Sequence, residues 1–295
     1  MNYLLEKSRV VFQIPNERNY HVLYMLINDA ALKSKLKLGA ASQYHYLNQS
    51  GCEVVKGRDD AQEQKEMIQA MNILEFTQDQ QSDIFKSLAG ILNLGNIKFD
   101  ELSNTGGEDQ VQIANKDYLN AACEHLGVDR SNIDKALCFR RMETREGVIQ
   151  IPLTVEQARN QCDAMAKEIY RQIFDFLVRK VNDTIFNGPG DSGLSIGVLD
   201  IFGFELFEVN SFEQLCINYA NEKLQYFFNA VIFEGEMQMY RSEGIDCEKI
   251  VFQDNQACLD LIEAKTGILS KLDEEVRSPT TTDPAKNKLG ARRRL

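Results

Sequence analysis

The run Leu194-Ser195-Ile196-Gly197-Val198-Leu199-Asp200-Ile201-Phe202-Gly203-Phe204-Glu205 decides how the chain is read. A short, mostly apolar stretch bounded by Gly193 ends in an acid, and a glycine and a second acid follow. Apolar runs of this length between polar boundaries read as buried strands, so a strand belonging to a sheet is expected over 194–200. Asp200 then stands at its carboxyl end, where open α/β sheets place their ligand crevices. An acid in that position can hold a magnesium ion directly or through water. Gly203 lets the backbone approach a ligand closely, or swing between conformations that a Cβ would block. On the residues alone a second reading stays open, a buried strand followed by a turn with two solvated acids.

Downstream, Asn210 with Glu213 three residues on predicts a helix start. Phe212, Leu215, Cys216, Tyr219, Tyr226, Ala230, Phe233 and Met237 line one stripe of a helix over 210–240, and Leu224, Phe228 and Ile232 the other side. A helix apolar on both sides is expected between layers. Asp200-Ile201-Phe202-Gly203-Phe204-Glu205, with Asn210-Ser211-Phe212-Glu213-Gln214-Leu215-Cys216-Ile217-Asn218-Tyr219 and Asn221-Glu222-Lys223-Leu224-Gln225, resembles the switch II element and relay helix of the myosin motor domain. Ala89-Gly90-Ile91-Leu92-Asn93-Leu94-Gly95-Asn96-Ile97, Gly267-Ile268-Leu269 and Leu272-Asp273-Glu274-Glu275 resemble the same family, and the likeness runs from Tyr3 to about Leu289.

The resemblance implies an α/β, mostly helical chain: a fragment of a P-loop NTPase-type motor domain with part of its central sheet. It implies an upper, actin-facing subdomain over 1–193. The switch II strand, relay helix and start of the lower subdomain follow over 194–289, and 290–295 is an unmatched tail. The family's activity is an actin-activated Mg-ATPase with ATP and Mg2+ as cofactors. In that scheme Asp200 lies near magnesium and holds it through water, the Gly203 amide meets the γ-phosphate, and Glu205 closes the site. The implied partners are actin filaments and the remainder of the myosin heavy chain, and the implied location is the cytoplasm, on the actin cytoskeleton.

Upstream of the central run, Thr154-Val155-Glu156-Gln157 has the pattern of a capping box and opens the longest predicted helix. Its apolar face, from Ala158 through Cys162, Ile169 and Phe176, is wide enough to predict burial on more than one side. Before it, Phe139–Ile151 carries Arg140, Arg141 and Arg145, conspicuous on an acidic chain. The resemblance implies an actin-facing loop here; without it, the three arginines read as solvated surface. Residues 117–137 read as a helical pair broken at Gly127, and 97–99 with 111–113 as short strands. Two helices are expected between Asp59 and Leu94, the second begun near Thr77 and ended by Gly95 in a left-handed cap. Residues 39–57 read as connecting loop, 20–27 as a helix, and 3–12 as a short extended element.

The chain-wide numbers narrow the partners. A net charge of −11 argues against nucleic acid or anionic membrane as a default ligand, and no apolar run is long enough to span a bilayer. The seven cysteines show no paired metal spacing and read as reduced thiols. No G-x-x-x-x-G-K-S/T phosphate loop occurs, and the family's switch I segment, whose Arg would pair with Glu205, is also absent. The expectation is therefore a piece of an actin-based motor that does not turn over ATP by itself. Two other classes stay open: a non-catalytic actin-binding or assembly fragment, and a helical protein whose acids bind magnesium without nucleotide.

Overall fold

The computed structural model describes residues 1–102, 110–144, 147–186, 196–245 and 254–277. They fall into two compact units, Met1–Asp191 and Ser192–Leu295.

The first unit is built of helices with two small sheets. In order it contains α1 (His21–Asn28), α2 (Ala30–Lys35), α3 (His45–Asn48), α4 (Asp60–Ile73) and α5 (Gln78–Gly95). Then come β1 (Phe99–Leu102), β2 (Gln110–Ile113), α6 (Lys116–Leu126), α7 (Arg130–Cys138), β3 (Phe139–Thr144), β4 (Gly147–Pro152) and α8 (Val155–Ile185). Each sheet is an antiparallel pair, β1 with β2 and β3 with β4.

The helix starts follow local side-chain chemistry. Asp59, Thr77, Asp129 and Thr154 cap α4, α5, α7 and α8 by accepting from backbone N–H groups of the first turn. At Thr77 and Thr154 the glutamine three residues on accepts from the cap residue's own N–H, closing a capping box. Gly127 ends α6 at φ 66°, a left-handed position that suits a residue without a Cβ.

Packing is centred on α5, whose Leu88, Ile91, Leu92 and Leu94 are fully enclosed, with α1, α6 and α8 against it. Tyr46 on α3 is the pivot where these elements meet. Its hydroxyl donates to Asp163 Oδ1 at 2.6 Å and accepts from Arg159 Nη2 at 3.0 Å. Arg159 Nη1 donates to the carbonyls of Gly95 and Ile97, groups that the end of α5 leaves without a helical partner.

Several expectations for this unit are corrected. Residues 3–12 are not extended: Lys7–Val10 form a 3-10 turn, with Arg9 held between Glu6 and Glu17. Residues 39–57 are more than a connection, because α3 within them carries the fully buried Tyr46 and Leu47. Gly95 is helical rather than a left-handed cap; a Cβ there would stand 2.7 Å from the Tyr46 ring, so the glycine serves close packing. Burial on α8 is confined to one stripe of Ala158, Cys162, Ala166 and Tyr170 in its first half, and beyond it Ile173, Phe176 and Leu177 pack half-buried against the same core.

The second unit contains α9 (Phe212–Phe228), a π-turn at Asn229–Glu234, α10 (Gly235–Ser242), α11 (Gln256–Glu263) and α12 (Ile268–Arg277). The strand expected over 194–200 is corrected for its described part. Among the described residues Ile196–Asp200 have no strand partner, and Ile196 and Val198 are 99% and 92% exposed. A strand is completed only by partners in its ladder, and the described strands pair β1 with β2 and β3 with β4 alone. The expectation that α9 lies between layers also fails. None of its residues is buried; among the described residues α11 and the 202–205 segment lie against it.

Candidate functional site

Asp200, Gly203 and Glu205 share one irregular segment that leads into α9. The helix starts one residue later than the Asn210 cap expected. Ser211 is the cap residue, and its N–H donates to Gln214 Oε1 at 2.8 Å. Asn210 instead closes a turn with Phe207, accepting from its N–H and donating to its carbonyl at 2.9 Å.

Three amide side chains of α9 hold the segment. Asn218 Oδ1 accepts from the Glu205 N–H at 2.8 Å, and Asn218 Nδ2 donates to the Glu205 carbonyl at 2.8 Å. Asn221 Nδ2 donates to the Phe202 carbonyl at 2.9 Å, and Gln214 Nε2 reaches Glu205 Oε2 at 3.4 Å. Positions 214, 218 and 221 stand four and three apart, so they share one face of the helix. Sequence reasoning quoted these residues but gave them no role. The signal in the sequence is an amide stripe at helical spacing beside the apolar one. Gly203 sits between the clamped carbonyl and the clamped amide, and a Cβ there would meet nothing within 4 Å.

On its far side α9 is tied to α11. Asn255 Nδ2 donates to the Glu222 carbonyl and carboxylate, and Lys223 Nζ lies 2.7 Å from Glu263 Oε1. The hydrogen bonds from Lys223 and then Tyr219 hold the Glu263 carboxyl below the usual range.

The arginines expected on a loop stand instead on a hairpin. Arg140 pairs across β4 with Ile151 and Arg141 with Gln150. Neighbours on a strand point to opposite faces, so the hairpin divides the two. Arg140 shares its face with Met142, Ile149 and Ile151, and Arg141 shares the other with Glu143, Val148 and Gln150. Arg145 lies outside the described residues.

The described residues do not by themselves fit a magnesium–triphosphate group. Asp200 is exposed, Gly203 faces open space, and the donor set here is two carboxylates and one glycine amide with no cation among them. Among the described residues no group of three His, Cys, Asp or Glu side chains is placed to hold a metal.

Comparison with known proteins decides the family. The model of the myosin head (motor domain) matches residues 1–290. The chain belongs to the myosin head family. Among its relatives, the myosin-I heavy chain of Dictyostelium discoideum is 46% identical over 286 residues, 96% of this chain and 12% of that protein. Human unconventional myosin-Vc is 45% identical over 283 residues, 95% of this chain and 16% of its own. Myosin-2 of Saccharomyces cerevisiae is 46% identical over 285 residues, 95% and 18% respectively. The chain thus spans less than a fifth of each of these myosins. Its mostly helical build with small sheets is consistent with part of a myosin motor domain. No described helix is long and apolar enough to cross a membrane.

Proposed function

We propose that this chain is the middle of an actin-based motor domain, from just after switch I through switch II and the relay helix. In a motor that also carries a phosphate loop and switch I, Asp200–Glu205 is the part that responds to Mg-ATP, and α9 carries the response away. The observation that supports this most is the amide clamp, with Asn218 and Asn221 gripping the backbone on either side of Gly203. A segment bonded through its backbone to a helix cannot shift without moving that helix or breaking those bonds. The test is exchange of this chain into a myosin head with its own phosphate loop and switch I. Asn218→Ala and Asn221→Ala together are expected to uncouple ATP turnover from filament sliding; unchanged sliding per turnover would refute the role.

The hairpin supports a second part of the reading, contact with actin through Arg140, Arg141 and Arg145. It belongs to a unit with a continuous core of its own, so filament binding without catalysis is the activity the chain by itself best supports. Cosedimentation of the 295-residue chain with actin filaments at low salt tests it, and absence of any charge-dependent pelleting would count against it.

A further inference from the structure

Where the β3–β4 hairpin meets α7 and the first turns of α8 lies an open groove of about 1000 Å3. On a chain of net charge −11 its lining is exceptional in sign. Lys135, Arg140 and Arg141 line it, the two arginines from opposite faces of the hairpin, and no described Asp or Glu does. Among the described residues no side-chain hydrogen bond or ion pair engages any of the three. Between them stand Gln150, Asn160 and Gln161, amides that both donate and accept. The floor is apolar where Phe139, Ile151 and Leu153 contribute.

We infer that this groove binds an extended acidic peptide segment of another protein. Each part of the lining matches one part of such a ligand. The cations pair with carboxylates, the amides pair with peptide N–H and C=O groups, and the apolar floor takes one aliphatic side chain. A compact phosphate would leave the floor and the amides unused. The inference goes beyond the proposed filament contact, because its distinguishing residues, Lys135, Asn160 and Gln161, lie on α7 and α8 rather than on the hairpin.

The net charge of the chain sharpens the test, since the molecule as a whole repels an acidic peptide and only a local site can reverse that. The probe is a fluorescein-labelled hexapeptide of glutamates around one isoleucine, titrated into the full 295-residue chain by fluorescence anisotropy at low salt. Saturable binding is expected, competed by unlabelled peptide and weakened as salt rises. Lys135→Glu replaces an attraction by a repulsion and is expected to weaken binding about tenfold. Asn160→Ala with Gln161→Ala is expected to weaken it severalfold at unchanged salt dependence. Replacing the peptide's isoleucine by glycine tests the floor without altering the protein, and should also weaken binding. Absence of binding would overturn the inference. So would binding indifferent to both the isoleucine and the two amides, or inorganic polyphosphate binding as tightly, since the groove would then attract charge alone. The filament reading is scored separately, by cosedimentation of Arg140→Ala and Arg141→Ala.

Discussion

Asn218 satisfies both the donor and the acceptor of Glu205's backbone, which makes it the most informative single residue in the second unit. Each bond is half-buried and contributes about 1 kcal/mol. Asn218→Ala is therefore expected to speed amide exchange at Glu205 by roughly an order of magnitude, while exchange in the interior of α5 stays unchanged. Equal exchange at Glu205 in both proteins would show that the clamp is not formed in solution. In the first unit the corresponding residue is Asp60. It meets Arg18 through two bonds, at 2.9 and 2.5 Å, with the two side chains 12% and 4% exposed. Burial alone would raise the Asp60 pKa, but the hydrogen bonds and charge of Arg18, with Asn28, more than offset it and hold the carboxyl below its ordinary value. Because the folded pKa is the lower one, the stabilisation is complete above about pH 4. It is lost as pH falls through the folded value. Asp60→Asn is expected to lower the melting temperature at pH 7, by about 3 kcal/mol of stability, because it leaves Arg18 buried without its counter-charge. The same variant should lose less on going from pH 5 to pH 3 than the parent, and parallel melting curves against pH would contradict this assignment.

Between α3 and α5, Gly95 and the Tyr46 ring are in contact closer than a Cβ allows. A glycine inside a helix ordinarily costs about 1 kcal/mol relative to alanine. Here the balance reverses, and Gly95→Ala should destabilise the chain by about 1–3 kcal/mol through overpacking, read as a lower urea midpoint; a stabilised variant would show that the ring yields freely. The same pair explains what was legible before the structure. Thr77 and Thr154 could be read as caps because their partners lie within one turn. Tyr46 could not be read as core, because what encloses it, Gly95, Arg159 and Asp163, lies 49 to 117 positions away. The constraint on Gly95 likewise comes from another element, the Tyr46 ring, rather than from the end of its own helix. Ile196–Asp200 has a strand's composition, yet pairing is a property of the neighbouring strands and not of the run. At the candidate site the sequence order shows that Asp200, Gly203 and Glu205 share one short segment. That amides of α9 hold the backbone of Phe202 and Glu205 does not follow from apolar periodicity, which passes over polar positions on the same helix.

For the whole molecule, the family and the residue inventory constrain function from opposite sides. Membership of the myosin head family points to a motor; the described site offers two carboxylates and one open glycine to a triphosphate, which is repelled by such a set. Phosphoryl transfer requires phosphates, metal and attacking water to be positioned together, so the 295-residue chain is expected to show no Mg-ATP turnover above background. Filament binding depends on different residues. Replacing Arg140, Arg141 and Arg145 together by Ala in a myosin head carrying this chain should weaken actin binding, most at low ionic strength where screening is least. An unchanged affinity at low salt would return the hairpin to ordinary solvated surface. The central claim, that Asp200–Glu205 is the nucleotide-responsive element, is tested most directly by one comparison. Actin-activated ATPase is measured on a myosin head built around this chain, with Glu205 intact and as Glu205→Ala, alongside binding of a fluorescent nucleotide. The account predicts turnover in the first and a loss of about a hundredfold or more in the second, with nucleotide binding largely retained. Equal turnover in the two proteins would contradict it.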